Sequence, residues 1–241
     1  MEIRGRAPWA ILLAAILGVA AGVAVAIAGP GSGGNESATN DPLQLGIPLV
    51  DLACTGDSIM VVGYGAGRAP LDAAVADNPD RVVRYLRTDD SCDTLYAPVD
   101  AAVPDYVAYL GPFDSPADPC AERMTDEHKG DNVTRLNSGN QIYVKCLCVL
   151  DTATFPVLRP GMSLTTESGL WIRGLQGMLA DIDAAAGNPT RFTEADITGV
   201  YDQRTAARVN EIQAGKGVRV GPLNTVTWRI LRKRACGTYS Y

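Results

Sequence analysis

The 241-residue chain contains one histidine, His128, and aromatic residues make up only 6% of it. A single imidazole cannot supply the several histidine ligands on which most zinc hydrolases depend, so that class is excluded. Basic residues are also few, with 21 Lys and Arg against 27 Asp and Glu, and the formal net charge is −6. Such a charge repels phosphate backbones, and we expect no nucleic-acid partner.

Other catalytic signatures are missing as well. His128 lies in the charged segment TDEHKGD, which is typical of a solvated loop, and no cysteine stands in the context of an activated nucleophile. The glycine-rich run at 63–67 lacks the Gly-Lys-Ser/Thr ending of a phosphate-binding loop. The sequence therefore predicts a protein that is not an enzyme and that carries neither a metal ion nor a cofactor.

Charged residues are absent from one long segment near the start. Residues 9–28 read WAILLAAILGVAAGVAVAIA, and a helix of this length spans the ~30 Å core of a bilayer. Arg4 and Arg6 precede it, and a basic flank favours a cytoplasmic N-terminus. The sequence thus predicts a single-pass protein of the cell membrane, with a cytoplasmic tail at 1–8, a signal anchor in the lipid bilayer at 9–28 and the C-terminus outside.

A cleaved signal peptide is the alternative interpretation of the same segment. Ala26-Ile27-Ala28 fits a cleavage pattern, although the apolar run is longer than the usual ~7–15 residues. If residues 1–28 are cleaved, the product is secreted. Both interpretations place residues 29–241 in an extracytoplasmic compartment.

No Cys-x-x-Cys pair occurs, which disfavours metal binding by the six cysteines. All six follow the apolar segment, and an even number is typical of disulfides in an oxidising compartment. Cys146 and Cys148 would point to one face of a strand, so we expect each to bond a separate partner. Fifteen pairings are open for the candidates, which are Cys54, Cys92, Cys120, Cys146, Cys148 and Cys236.

Two stretches without hydrophobic periodicity divide the rest of the chain. Residues 29–46 are rich in Gly, Ser and Asn and predict a flexible linker. Residues 151–168 contain two prolines and predict a second linker. An α+β domain at 47–150 and a helical domain at 169–241 remain, and the predicted fold class is α+β.

The first of these domains alternates predicted strands and helices. Apolar runs predict strands at 58–63 and 105–110, and alternation predicts another at 141–150. Helices are expected from Asn78 and Ser115, because each is followed by a proline, which suits the first turn of a helix. The order β-α-β-α-β is that of a small α/β sandwich.

Residues 106–124, YVAYLGPFDSPADPCAERM, resemble the second half of a SPOR domain, a family that binds the glycan strands of peptidoglycan. The resemblance implies a glycan on the face of the sheet, with Tyr106 or Tyr109 in contact with it. The two lie three apart on a strand and face opposite sides, so at most one of them can serve. Tyr109 is the candidate ligand-binding residue, and an ordinary place in the strand is the alternative for both.

The second domain predicts three amphipathic helices. Apolar residues recur at helical spacing from Trp171 to Ile182, and two shorter helices carry Val209 and Trp228. Residues 175–231 resemble, in the right order, the small helical peptidoglycan-binding domain of cell-wall hydrolases. The residues that stand at the positions of the family's motif are Leu175-Gln176, Thr198-Gly199-Val200-Tyr201, Thr205, Ile212-Gln213, Thr227-Trp228 and Leu231.

Thr198, Asp202 and Ile212 depart from the aspartate, second glycine and aromatic residue that are usual in that family. The departures spare the hydrophobic skeleton and bear on ligand contact instead. Core packing is the expected role of Leu175, Ile212 and Trp228. The ligand-binding candidates are the polar residues near the turns, Gln176, Tyr201, Asp202 and Gln213, for which a purely structural role is the alternative.

Together, the two resemblances imply a membrane-anchored protein of the bacterial cell envelope that binds peptidoglycan non-covalently and links the membrane to the cell wall. Two weak contacts on one chain would reinforce each other through effective concentration. The alternative is an envelope regulator or receptor whose modules bind a protein partner, such as a cell-wall hydrolase.

Overall fold

A computed structural model describes part of the chain. The described residues are 41–92, 105–125, 127–128, 130–137, 143–163 and 168–237. The predicted cytoplasmic tail and signal anchor, residues 1–28, lie outside them. Among the described helices, none has both the length and the apolar character that crossing a bilayer requires.

The first half of the described chain is an α+β unit built on a four-stranded antiparallel sheet. Its strands are β1 (Ser58–Gly65), β2 (Arg84–Arg87), β3 (Tyr106–Phe113) and β4 (Asn132–Arg135). Their order across the sheet is β2-β3-β1-β4. Two helices complete the unit: α1 (Arg68–Ala76) connects β1 to β2, and α2 (Ala117–Arg123) connects β3 to β4. This βαββαβ order is the ferredoxin-like split βαβ arrangement.

Both faces of the central strands are buried. One face carries Ile59 and Tyr109, and the other carries Met60 and Leu110, because successive side chains of a strand alternate between faces. Helix α1 packs Leu71 against the second face. The sheet is therefore the middle layer of the α+β unit, with a buried hydrophobic cluster on each face.

The chain before β1 also packs on the second face of the sheet. Within residues 41–49, the apolar side chains in contact with this core are Leu43, Leu45, Ile47 and Leu49. Asp41 holds the segment in place, since its carboxylate accepts hydrogen bonds from the Tyr85 hydroxyl (2.5 Å) and the Gly46 N–H (2.8 Å). The prediction of a linker at 29–46 is therefore wrong for residues 41–46, because Leu43 and Leu45 pack on the second face of the sheet.

The helix predicted from Asn78 is also wrong. Asn78 follows the end of α1, where its side-chain amide donates to the carbonyl of Ala74 (2.8 Å), and the next element is strand β2. Tyr85 and Leu86 are both fully buried, on opposite faces of the sheet. A strand buried on both sides lacks the alternation that would have identified it from the sequence.

The strand predicted at 141–150 is replaced by a four-residue helix, α3 (Cys146–Val149). Tyr143 makes an isolated β-bridge there, with Thr134 of β4. In a helix, residues two apart point in nearly opposite directions, whereas a strand would point both cysteines to one face. The helical turn thus allows Cys146 and Cys148 to reach partners in different elements.

The other predicted elements are confirmed. Strands β1 and β3 cover the two apolar runs, and α2 begins two residues after Ser115, whose hydroxyl accepts a hydrogen bond from the Ala117 N–H (3.2 Å). The three predicted helices of the second half are present as α4 (Ser168–Ala185), α5 (Gln203–Gly215) and α6 (Thr225–Ala235). Core positions for Leu175, Ile212 and Trp228 are confirmed by their burial.

Part of the second predicted linker, within residues 151–158, packs into the core. Phe155 and Leu158 are buried, and the Phe155 ring lies edge-on to Trp228 with 5.1 Å between ring centroids. The Trp228 indole N–H donates to the carbonyl of Pro156 (2.8 Å). One continuous hydrophobic cluster joins α2 and β4 to the three helices. The linker prediction is wrong here because aperiodic sequence does not reveal contacts with distant rings.

All six cysteines form disulfides, as the sequence predicts. The pairs are Cys54–Cys92, Cys120–Cys146 and Cys148–Cys236. The separate partners expected for the close pair are confirmed: one disulfide ties α3 to α2, and the other ties it to the residue that follows α6. The Cys120–Cys146 and Cys148–Cys236 disulfides therefore cross-link the α+β half and the helical half to the same short turn.

Loss of the Cys148–Cys236 disulfide should destabilise the protein more than loss of Cys120–Cys146. The two bonds close loops with sequence separations of 88 and 26 residues, and loop-closure entropy predicts about 4–5 kcal/mol for the first and about 1 kcal/mol less for the second. Urea unfolding of the two double Cys→Ser variants, in the full chain in mild detergent, measures the difference. Equal or reversed losses would contradict the prediction.

Replacing Asp41 with asparagine should destabilise the protein at neutral pH. Burial alone would raise the pKa of Asp41, but hydrogen bonds from Tyr85 and from the backbone N–H groups of residues 44–46 outweigh burial and lower the pKa below 3.8. A carboxylate with a lowered pKa stabilises the fold above its unfolded pKa and loses this contribution as the pH falls through its folded pKa.

The stability difference between the wild type and Asp41→Asn should therefore be largest at pH 7 and shrink towards about pH 3. Urea unfolding midpoints at both pH values test this. Asp51→Asn, at an exposed position on the same segment, is the matched control and should leave the midpoint unchanged at pH 7. A difference that stays constant across the pH range would refute the role of the Asp41 charge.

Candidate functional site

The two halves of the described chain meet at an open groove of about 600 Å³. Its walls come from α2, from β4, from residues 143–148 and from α4. Cys146 and Cys148 both line it, so the disulfide-bonded turn forms part of one wall. The groove therefore exists only when the two halves are held together.

Glycines shape the α4 side of the groove. A Cβ atom at Gly174 would lie 2.5 Å from Leu147, so the missing side chain lets α3 pack closely on α4. A Cβ atom at Gly177 would meet no atom within 4 Å, although this residue lines the groove. The first glycine brings the walls together, and the second leaves open space between them.

Charged side chains of both signs line the groove. Lys145 and Asp181 form an ion pair (2.6 Å) between the segment before α3 and helix α4. Arg173 projects from the exposed part of α4, and Arg123 is half-buried at the end of α2. Glu194 contributes the second acidic group. The groove can thus form hydrogen bonds and ion pairs as well as apolar contacts.

Arg123 is held by the loop that contains the only histidine. Its Nε donates to the carbonyl of Asp131 (3.2 Å), and the Asp131 carboxylate contacts Nδ1 of His128 (2.7 Å). His128 is only 6% exposed, so its prediction as a solvated loop residue is wrong. Burial raises the pKa of Asp131, against the opposite effect of its hydrogen bond with His128. The buried pair fixes the carbonyl that orients Arg123.

Gln176, a predicted ligand-binding residue, is completely buried and holds the loop before α5. Its Oε1 accepts from the N–H of Gly199 (2.8 Å). Its Nε2 donates to the carbonyl of Val200 (2.9 Å) and to the hydroxyl of Thr205 (3.1 Å). The amide is therefore used within the fold, and ligand contact by this residue is corrected to a structural role.

Gln213 repeats the same arrangement one helix later. It is also completely buried, accepts from the N–H of Gly221 (3.0 Å) and donates to the hydroxyl of Thr227 (2.9 Å). Asn224 caps α6 through the N–H groups of Val226 and Thr227. Ligand contact is corrected here too, since the side chain fastens the loop to the start of the next helix.

The remaining candidates have structural positions as well. Asp202 is exposed and caps α5 by accepting from the N–H of Thr205 (2.7 Å). Tyr201 is buried, which raises the pKa of its hydroxyl to about 12. Tyr109 is fully buried, and its hydroxyl donates to the carbonyl of Val50 (3.2 Å). The predictions of ligand contact for Tyr109 and Tyr201 are wrong because neither side chain reaches solvent.

The groove residues were missed by sequence reasoning because they come from five separate segments. One signal was available in the sequence. Arg173 is the only charged residue between 168 and 180, where it interrupts an otherwise apolar helical stretch. A charge at such a place indicates a side chain that serves something other than the core.

No family model, curated protein or solved structure matches this chain.

Replacing Gln176 with alanine should lower stability by about 2–4 kcal/mol, because it leaves the Gly199 N–H and the Val200 carbonyl without this partner. Gln203→Ala, at an exposed position of α5, is the matched control and should change stability by less than about 0.5 kcal/mol. Urea unfolding measures both. A stable Gln176→Ala variant with impaired ligand binding would instead restore the ligand-binding role.

Proposed function

We propose that the chain is a non-enzymatic, membrane-anchored protein of the bacterial cell envelope that binds peptidoglycan non-covalently and so links the membrane to the wall. The observation that carries the proposal is the groove between the α+β half and the helical half. Its volume of about 600 Å³ lies within the usual range of ligand pockets, ~300–1,000 Å³. A groove of this size that opens to solvent can accept a segment of a polymer.

The disulfides support the extracytoplasmic location. Every cysteine of the chain is oxidised, which suits a compartment outside the reducing cytoplasm. In the proposal, residues 9–28 remain in the membrane as the signal anchor, and the stapled unit faces the wall.

The two resemblances supply the ligand class. Each points to peptidoglycan, and each covers a segment that contributes to the groove: α2 lies in the SPOR-like stretch, and α4 in the helical stretch. The residues those families suggested as contacts are engaged in the scaffold, so we assign binding to the groove between the two segments.

Co-sedimentation with purified cell-wall sacculi tests the proposal. The full chain, in mild detergent and with its disulfides intact, should pellet with sacculi and remain in solution without them. It should also release no dye from labelled wall, since the proposal includes no hydrolysis. Failure to pellet would overturn the proposal and favour the alternative, a regulator whose modules bind a protein partner such as a cell-wall hydrolase.

Filling the groove should weaken this binding. Gly177→Leu places a side chain in the open space beside α4, and we expect at least a tenfold loss of affinity for sacculi. Gly215→Leu is the matched control, because it adds the same side chain to a helical glycine outside the groove lining, also with no atom within 4 Å of its Cβ. Unchanged pelleting of the Gly177→Leu variant would move the site away from the groove.

A further inference from the structure

Two guanidinium groups that line the groove have N–H donors without an acceptor among the described residues. Arg173 forms no hydrogen bond or ion pair with any residue that the structure describes, and it is exposed. Arg123 uses Nε for the carbonyl of Asp131 and Nη1 for a long contact with the Met124 sulfur (3.8 Å). Its Nη2 has no acceptor within the described part of the chain. Both arginines line the groove.

The two arginines are close enough to repel each other. Burial lowers the pKa of Arg123, and the positive charge of Arg173 lowers it further, while Asp131 acts in the opposite sense. Arginine nevertheless stays protonated in proteins. An anion between the two groups would pair with both charges and remove the repulsion. A chain with a net charge of −6 has many carboxylates, yet no described carboxylate lies within 4 Å of either guanidinium.

The charge balance of the groove indicates which anion would fit. Its lining holds three basic residues and two acidic ones, and Lys145 already pairs with Asp181. One excess positive charge matches a single carboxylate. A phosphate polymer repeats its negative charge along its length and would meet Asp181 and Glu194, while a neutral sugar would leave the arginines uncompensated.

The groove also has apolar surface beside the arginines. Val144, Met178 and Ile197 line it, and Gly177 leaves room next to them. Small aliphatic side chains would find contacts there, and a planar guanidinium can bind a carboxylate through two parallel hydrogen bonds. This combination is suited to the end of a peptide.

We propose that the groove binds the carboxylate end of a short peptide of small aliphatic residues, with Arg123 and Arg173 pairing with the carboxylate. The stem peptides of peptidoglycan present this chemistry. The inference rests on the proposed function and specifies which part of the wall polymer occupies the groove: the peptide rather than the glycan.

Calorimetric titration of the full chain in mild detergent tests the inference directly. The probes are N-acetyl-D-alanyl-D-alanine and its C-terminal amide, and we expect the amide to bind at least tenfold more weakly. Arg173→Gln should weaken binding of the acid about ten- to hundredfold, the range for a lost charged hydrogen bond. Arg219→Gln, at an exposed position outside the groove lining, is the matched control and should bind like the wild type.

Equal binding of acid and amide, or no binding of either, would overturn the inference. Inorganic phosphate is the third probe. If it binds as tightly as the acid and is equally sensitive to Arg173→Gln, the groove is a general anion site and the peptide assignment fails. Folding of each variant is checked by its thermal unfolding, since Arg173 is exposed and its replacement should leave the fold intact.

Sacculi separate this inference from the proposed function. Wild-type chain that pellets with intact sacculi, but not with glycan strands freed of their stem peptides, supports both. Equal pelleting with both materials, together with no binding of the acid probe, keeps the proposed function and overturns the peptide inference. Binding of the acid probe without any pelleting keeps the carboxylate site and overturns wall attachment.

Discussion

The architecture depends on one helical turn with two disulfides. In α3, Cys146 is bonded to α2 and Cys148 is bonded to the residue after α6. Arg232 of α6 adds a hydrogen bond to the Cys148 carbonyl (3.0 Å). At this turn, disulfides cross-link one short segment to both the sheet-based half and the helical half, and the turn also lines the groove. Without it, the shared core would have to hold the two halves together by packing alone.

A second constraint is the repeated use of buried glutamine in the helical half. Gln176 and Gln213 each lie on one helix and bind the loop that leads to the next, and that next helix begins with an Asp or Asn cap followed three residues later by threonine. A buried amide must satisfy both its donors and its acceptor. The repeat therefore positions two loops by hydrogen bonding and leaves neither amide exposed to a ligand.

The groove concentrates positive charge on an acidic protein. Arg123 is oriented by a loop whose buried His128 and Asp131 contact each other, so the sole histidine supports a binding surface rather than a catalytic one in our proposal. His128 and Asp131 thus form part of the scaffold, whereas Arg173 presents an exposed charge. This division fits a protein that binds through a preformed site, because ordering costs are met during folding rather than during binding.

The amino-acid sequence by itself determined the elements with a clear period and the oxidised state of the cysteines. Strands β1 and β3 follow from apolar runs, and helix α2 follows from Ser115 and the proline after it. Helices α4–α6 and the core positions of Leu175 and Trp228 follow from apolar residues at helical spacing. Each of these patterns lies within a single segment. Tertiary structure decided the elements whose conformation depends on contacts with residues far away in the sequence. Strand β2 is buried on both faces, and parts of 41–46 and 151–158 pack on elements far along the chain. Cys146–Val149 forms a helical turn whose two cysteines bond partners in different elements. The groove belongs to this second class, because its arginines come from helices about fifty residues apart in the sequence and only folding brings them together.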